Sequence, residues 1–199
     1  MATGTTNPPA PAPAIHRFTV DQYHEMIRTG ILNEYDDVEL LDGVIVSKMS
    51  KGKDHDTVIE KLNRLLGRVL PPDVSHRCQC VLTLPESEPE PDFVVCTPPE
   101  ARQGRHPTAA DTFLVCEVSD TSLHHDRTEK ATLYARVGIP VYWVINLEDW
   151  QVEVYTSPVS PPGGAAHYRT RTDYRAGQDV PIPVGGATVG LISVTAIFP

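Results

Sequence analysis

The sequence predicts an α/β domain, a mixed β-sheet flanked by helices with additional β-hairpins. Three observations carry this. Element signals run in the order helix, hairpin, helix, strands, helix, strands. Two runs, Thr112–Val118 and Val141–Ile145, are apolar almost throughout, as strands buried on both faces are. The chain has 199 residues, 40% of them hydrophobic and 22% charged, enough to bury a core without disulfides.

Residues 1–14 are Pro, Ala and Thr with no charge and little apolar surface, so a disordered tail is expected there. Residues 15–199 are expected to form one domain. Thr19 with Gln22 three positions on makes a capping box, and Gly30 is a natural stop. Between them Val20, Tyr23, Met26 and Ile27 recur at helical spacing. In Val38–Val46 the dipeptide Asp42–Gly43 marks a two-residue hairpin turn. A polar loop over Ser47–Lys53 leads to a second helix, for which Asp54 is the expected N-cap. Val58, Ile59, Leu62, Leu65, Leu66 and Val69 form its apolar stripe, and Pro71–Pro72 ends it. Strands are expected at Cys78–Leu84 and Asp92–Cys96, separated by the acidic turn PESEPEP, and a polar loop over 97–110. After Thr112–Val118 a helix is expected from about Asp126 to Val137, closed by Gly138. Then come the strand Val141–Ile145, a hairpin partner at Gln151–Tyr155, a loop over Pro158–Ala166, and strands at Tyr168–Tyr174 and Val180–Val184. A C-terminal run reaches Phe198.

The formal net charge is −9 and the pI about 5.3. That excludes a globally basic nucleic-acid binder and leaves contact through a small patch or a metal ion. No run approaches the roughly 20 apolar residues of a membrane helix. The N-terminus lacks the basic start and apolar run of a secretory signal, so a cytoplasmic protein is expected. Cys78, Cys80, Cys96 and Cys116 read as small buried hydrophobes in a reducing compartment.

Three acids stand in apolar surroundings. Asp92 follows Pro91 and opens a strand, Glu117 ends the most apolar strand, and Glu39 lies in the hairpin. Carboxylates rarely enter such strands unless paired or bound to metal. Two that converge suit a hard cation retaining waters, such as Mg²⁺. Each taken alone is equally a strand-mouth residue facing solvent.

Pro91–Asp92, Glu117–Val118–Ser119 and Lys130 in that order resemble the restriction-endonuclease-like PD-(D/E)XK superfamily. Ser119 stands where that superfamily usually has its lysine. The chain more closely resembles the Uma-two restriction endonuclease family, from Phe18 to Phe198. The segments that carry the likeness are FTVDQYHEM, VELLDGVIV, His55 at the head of the second helix, PEPDFVV, FLVCEVSDTS, Asp126–Lys130–Tyr134 at four-residue spacing, and GIPVYWVI. The resemblance implies a restriction-endonuclease-like core with Asp92 and Glu117 as metal ligands, joined by the backbone carbonyl of Val118. It implies Lys130 as a displaced catalytic lysine, Glu39 as a helper acid, and His55 near the site, touching phosphate. Mg²⁺ would be the cofactor, replaceable by Mn²⁺, and DNA the substrate. Members of the family often have Glu in place of Val141 and Asp in place of Asn146. Both departures lie outside the metal set and are expected to alter supporting contacts only.

Taken without the resemblance, Asp126 and Lys130 are a surface pair on one helical face. His124–His125, the basic loop of Lys48, Lys51 and Lys53, and the helical pair Arg64 and Arg68 are expected to be solvated. Arg169, Arg171 and Arg175 would share one strand face and are a weak nucleic-acid candidate. Tyr142–Trp143 reads as core rather than as a base-stacking platform. Three functions stay open on the residues: a Mg²⁺-dependent DNA endonuclease, a catalytically silent binding or assembly module of the same fold, possible as a homodimer, and a metal-free hydrolase using paired carboxylates.

Overall fold

A computed structural model describes residues 14–33 and 35–199. The expected tail therefore lies, but for Ala14, outside the described residues.

The first helix, α1 (Val20–Arg28), has the full capping box, with Thr19 Oγ1 accepting from Gln22 N and the Gln22 side chain accepting from Thr19 N. Strands β1 (Val38–Leu41) and β2 (Val44–Ser47) form the expected antiparallel hairpin. Asp42 and Gly43 both have positive φ, at 49° and 72°, as a two-residue turn of the primed type requires. Helix α2 (Lys53–Val69) begins two residues earlier than expected. Gly52, not Asp54, is its N-cap, which frees Asp54 and Asp56 to complement the helix dipole from the first turn.

The central sheet has six strands in the order β3-β4-β5-β6-β7-β8. They are β3 (Ser75–Cys78), β4 (Phe93–Cys96), β5 (Thr112–Ser119), β6 (Val141–Asn146), β7 (Gln151–Val159) and β8 (His167–Tyr174). Only β5 and β6 pair in parallel. A parallel pair needs a crossover. Here α3 (Leu123–His125), a π-helical turn (Asp126–Lys130) and α4 (Ala131–Arg136) supply it as one helical run. The hairpin of β9 (Asp179–Val184) and β10 (Ala187–Ser193), then α5 (Val194–Ile197), close the chain.

Alternate residues of the sheet feed two cores. Phe93, Val95, Cys116, Val118, Trp143 and Ile145 pack with Val58, Leu62 and Leu66 of α2 and with the β9–β10 hairpin. Val94, Val115, Tyr142 and Val144 pack with Leu133 and Tyr134 of α4. Tyr142 and Trp143 are fully buried, as core residues.

Three boundaries differ most from expectation. The strand expected at Cys78–Leu84 instead spans Ser75–Cys78, because Gln79 turns the chain at φ 48° and Leu82 and Leu84 bond back onto the acidic turn. The helix expected from Asp126 begins at Leu123. Strand β7 runs through Pro158 to Val159, so the loop before β8 is shorter than expected. Strand β8 ends at Tyr174 as expected, so Arg175 lies beyond it and does not share a strand face with Arg169 and Arg171.

Candidate active site

Pairing of Phe93 with Cys116 sets the sequence before β4 beside the end of β5. Asp92 N donates to Glu117 Oε2 at 3.3 Å, and Val118 N donates to Asp92 Oδ2 at 2.9 Å. The Glu117 carboxylate is thus locked to the backbone of Asp92, and the Asp92 carboxylate to that of Val118. The hairpin brings in Glu39. An isolated bridge from Leu40 to Glu88 seats β1 on the acidic turn, and Glu90 N donates to Glu39 Oε2 at 3.1 Å. From the first turn of α2, His55 Nε2 lies 3.2 Å from Asp92 Oδ2.

Lys130 completes the cluster. Its Nζ is 3.1 Å from Glu39 Oε1 and 3.1 Å from Glu117 Oε1. Tyr134, one turn on, donates to the same Glu117 oxygen at 2.8 Å. Glu39, Asp92, Glu117 and Lys130 are only 5%, 6%, 5% and 7% exposed, so their charges must be balanced within the protein. They share a cavity of about 210 Å³ with Val118, His55 and Lys51.

The balance is negative. Asp126, also buried, adds a fourth carboxylate around the one ammonium of Lys130. Burial pushes Glu117 up to about 8 despite Lys130, with Asp126, Asp92 and Glu39 adding to the rise. Burial opposes the charge of Lys130, but Glu117 and Glu39 outweigh it and raise its pKa, so Lys130 stays an ammonium. Burial would also raise Asp92, but hydrogen bonding and charge from His55 hold it low. His55 is raised because Asp92 overcomes the desolvation of its ring. A pocket of this kind attracts cations or protons and repels a bare phosphate.

Of the other candidates, Lys48, Lys51 and His125 lie on the rim of the same cavity. Lys48 is paired with Glu90 at 2.8 Å, while Lys51 reaches Asp92 Oδ1 at 3.6 Å from a half-exposed position. His124 is exposed, and His125 lines the cavity edge but pairs with Glu129 at 3.0 Å. Arg171 is taken up by Asp173 and Glu153. Asn146 is fully buried, caps the β6–β7 turn through Glu148 N and Asp149 N, and donates to Glu153. It thus holds the β6–β7 turn and Glu153. Sequence reasoning missed Gln79, whose Nε2 is 3.5 Å from Asp92 Oδ1, and the buried bond from Ser119 Oγ to Asp126 Oδ2 at 2.7 Å. Nothing local in the sequence marks Gln79, whereas Ser119 stands where the superfamily pattern has a lysine.

An α/β core that presents an Asp–Glu pair on neighbouring strands is the arrangement implied by the resemblance to the nuclease superfamily. The family model described as "Putative restriction endonuclease", Uma2 (Uma-two), matches residues 20–185, and the chain belongs to that family. Among solved structures it is similar to one from Anabaena variabilis, described as a "putative nuclease belonging to DUF820". The TM-score is 0.68 at 15% identity, covering 91% of this chain and 97% of that one. No curated protein matches the chain.

Proposed function

We propose that the chain is a Mg²⁺-dependent DNA endonuclease hydrolysing phosphodiester bonds. The observation that carries this is the buried Asp92–Glu117 pair, locked across neighbouring strands with Lys130 beside it. Asp92, Glu117 and the carbonyl of Val118 would hold the ion, and Mn²⁺ would substitute. The donors are all oxygens, and the surplus of buried carboxylates suits a hard cation. Among the described residues no three His, Cys, Asp or Glu side chains gather as a complete ligand set. The proposed ion would therefore rest on the two carboxylates and the carbonyl, with the rest of its shell left to water and substrate phosphate. When bound, the ion supplies Lewis acidity and lowers the pKa of a bound water.

The chain's own residues supply the rest. Lys130, kept as an ammonium, offers N–H donors toward the attacking water or the scissile phosphate. Glu39 and Tyr134 hold Lys130 and Glu117 in place. His55 orients Asp92 and, on the cavity wall, offers a phosphate contact.

Plasmid cleavage in Mg²⁺ or Mn²⁺ tests this. Asp92→Ala is expected to slow cleavage by at least about 100-fold, in line with loss of a group acting in the transition state. Equal nicking by variant and wild type sinks the assignment. The net charge of −9 favours the rival, a silent nuclease-fold module. Calorimetry separates the two, since the rival shows no Mn²⁺ binding that depends on both Asp92 and Glu117.

A further inference from the structure

We propose that Ser119 and Asp126 are a positioning pair that sets Lys130 in the carboxylate cluster. Ser119 occupies the site two residues after Glu117 where a lysine stands in the superfamily pattern. On a strand, positions 117 and 119 face the same way. Ser119 is fully buried, and its Oγ donates to Asp126 Oδ2 at 2.7 Å. Ser122 Oγ donates to the same oxygen at 2.5 Å. The backbone of Asp126 is pinned as well. Its N–H donates to Ser122 O at 3.0 Å, and its carbonyl accepts from Tyr142 Oη at 3.1 Å. The residue is therefore tied to β5, to the loop after it and to β6.

Asp126 opens the π-turn that ends at Lys130. In a regular α-helix four residues overrun a full turn by about 40°, so Asp126, Lys130 and Tyr134 would drift by about 80°. The wider π-turn winds less per residue and takes up that drift. Lys130 and Tyr134 then both reach Glu117 Oε1. Isolated π-turns are rare, so this one needs support. Asp126 holds its inner side, and Arg127 Nε holds the next residue to Glu153 Oε2 at 3.0 Å. A one-residue slip back to α-helix would turn a side chain by about 100°. The serine in the lysine's place thus anchors the helix that delivers the lysine from elsewhere.

The proposal takes Lys130 as the working lysine of the nuclease reading, but its first test needs no cleavage. The metal-free full chain is treated with limiting acetic anhydride, and each lysine's labelling is read by mass spectrometry. Lys130 should label at least 10-fold more slowly than exposed Lys53 in wild type, by about that factor at the least. In Ser119→Ala and Asp126→Ala its labelling should rise about 10-fold, while Ser119→Thr, which keeps the hydroxyl, stays near wild type. Thr128→Ala, on the exposed side of the same turn, should also stay near wild type. Circular dichroism checks folding, and Ser119→Ala alone decides if Asp126→Ala does not fold. Wild-type labelling in folded Ser119→Ala overturns the proposal. Equal labelling in Thr128→Ala also overturns it, since that would be simple helix fraying. In the cleavage assay Ser119→Ala should lower kcat with KM unchanged. A wild type that cleaves nothing removes the nuclease reading and leaves the labelling result to stand on its own.

Discussion

Glu153 is fully buried on β7, on the sheet face that carries Tyr155 and Tyr142. Its carboxylate receives Arg127, Arg171, Asn146, Gln151 and Tyr155. Burial alone would raise its pKa, but these donors outweigh it and hold the group at about 2. The unfolded value is near 4.3, so the folded pKa is depressed. The stability it contributes is present above about pH 5 and is lost as pH falls toward 2. Urea melts of wild type are expected to show that fall, and Glu153→Gln should flatten its share of it. At pH 7 the variant should cost about 3 kcal/mol, the low end for a broken buried pair. The low end applies because Arg127 and Arg171 are 30% and 36% exposed. An unchanged midpoint in Glu153→Gln would mean that the cluster is solvated. The same residue shows what sequence can tell at this scale. An acid in an apolar strand marks Glu39, Asp92 and Glu117, and it marks Glu153 equally. What separates them is the partner: two guanidiniums for Glu153, the shared Lys130 for Glu39 and Glu117, and His55 with Lys51 for Asp92. Partners come from strands and turns far away in sequence, so composition around the acid is silent about them.

The elements were more legible than their partners. Each strong local signal formed: the Thr19 capping box, the Asp42–Gly43 turn, the stripe of α2 and the two apolar strands. The errors fell where long-range contacts decide. Apolar residues Val81, Leu82 and Leu84 look like a strand, but Leu82 is buried by a loop that folds back on Pro89 rather than by a ladder. The π-turn has no local signature beyond the four-residue spacing it accommodates. The β1–β2 hairpin gives the next prediction. Gly43 sits at φ 72°, and a Cβ there would meet Arg17 Cβ at 2.7 Å and Phe18 O at 2.9 Å. The backbone of Gly43 also bonds both ways, from Phe18 N and to Glu86 O. Gly43→Ala is therefore strained by conformation and by contact at once. It should cost about 1–3 kcal/mol in urea denaturation, within the range for overpacking and for strained backbone. Because β1 carries Glu39, the variant should also release Lys130 on one side. A midpoint equal to wild type would show that the N-terminal segment before α1 does not pack on the turn.

At the scale of the whole molecule, charge governs how nucleic acid is approached. The chain carries 26 acidic and 17 basic residues, and the cavity at its centre is itself negative. Cations near the cavity are mostly spent: Lys48 on Glu90, Lys130 on Glu39 and Glu117, Arg127 on Glu153. Lys51 is the half-exposed cation within reach of Asp92. No helix among the described residues is long and apolar enough to cross a membrane. Under the proposed function, a duplex drawn to this site would be held by few phosphate contacts and by an ion that offsets the carboxylates. Binding of a short labelled duplex to Lys130→Met, which should not cut, measures this by fluorescence anisotropy. Affinity in Mg²⁺ is expected to exceed that in EDTA by at least about 10-fold, one full decade of the 1.4 kcal/mol scale. Raising salt from 50 to 200 mM should weaken binding by about 10-fold, as about two neutralised phosphates require. Lys51→Ala should then lower the salt slope by about one, the signature of one lost phosphate contact. Equal affinity in EDTA and in Mg²⁺ would place nucleic acid on a surface other than this cavity. A salt slope as steep as six or more contacts would do the same, because no such number of free cations borders the site.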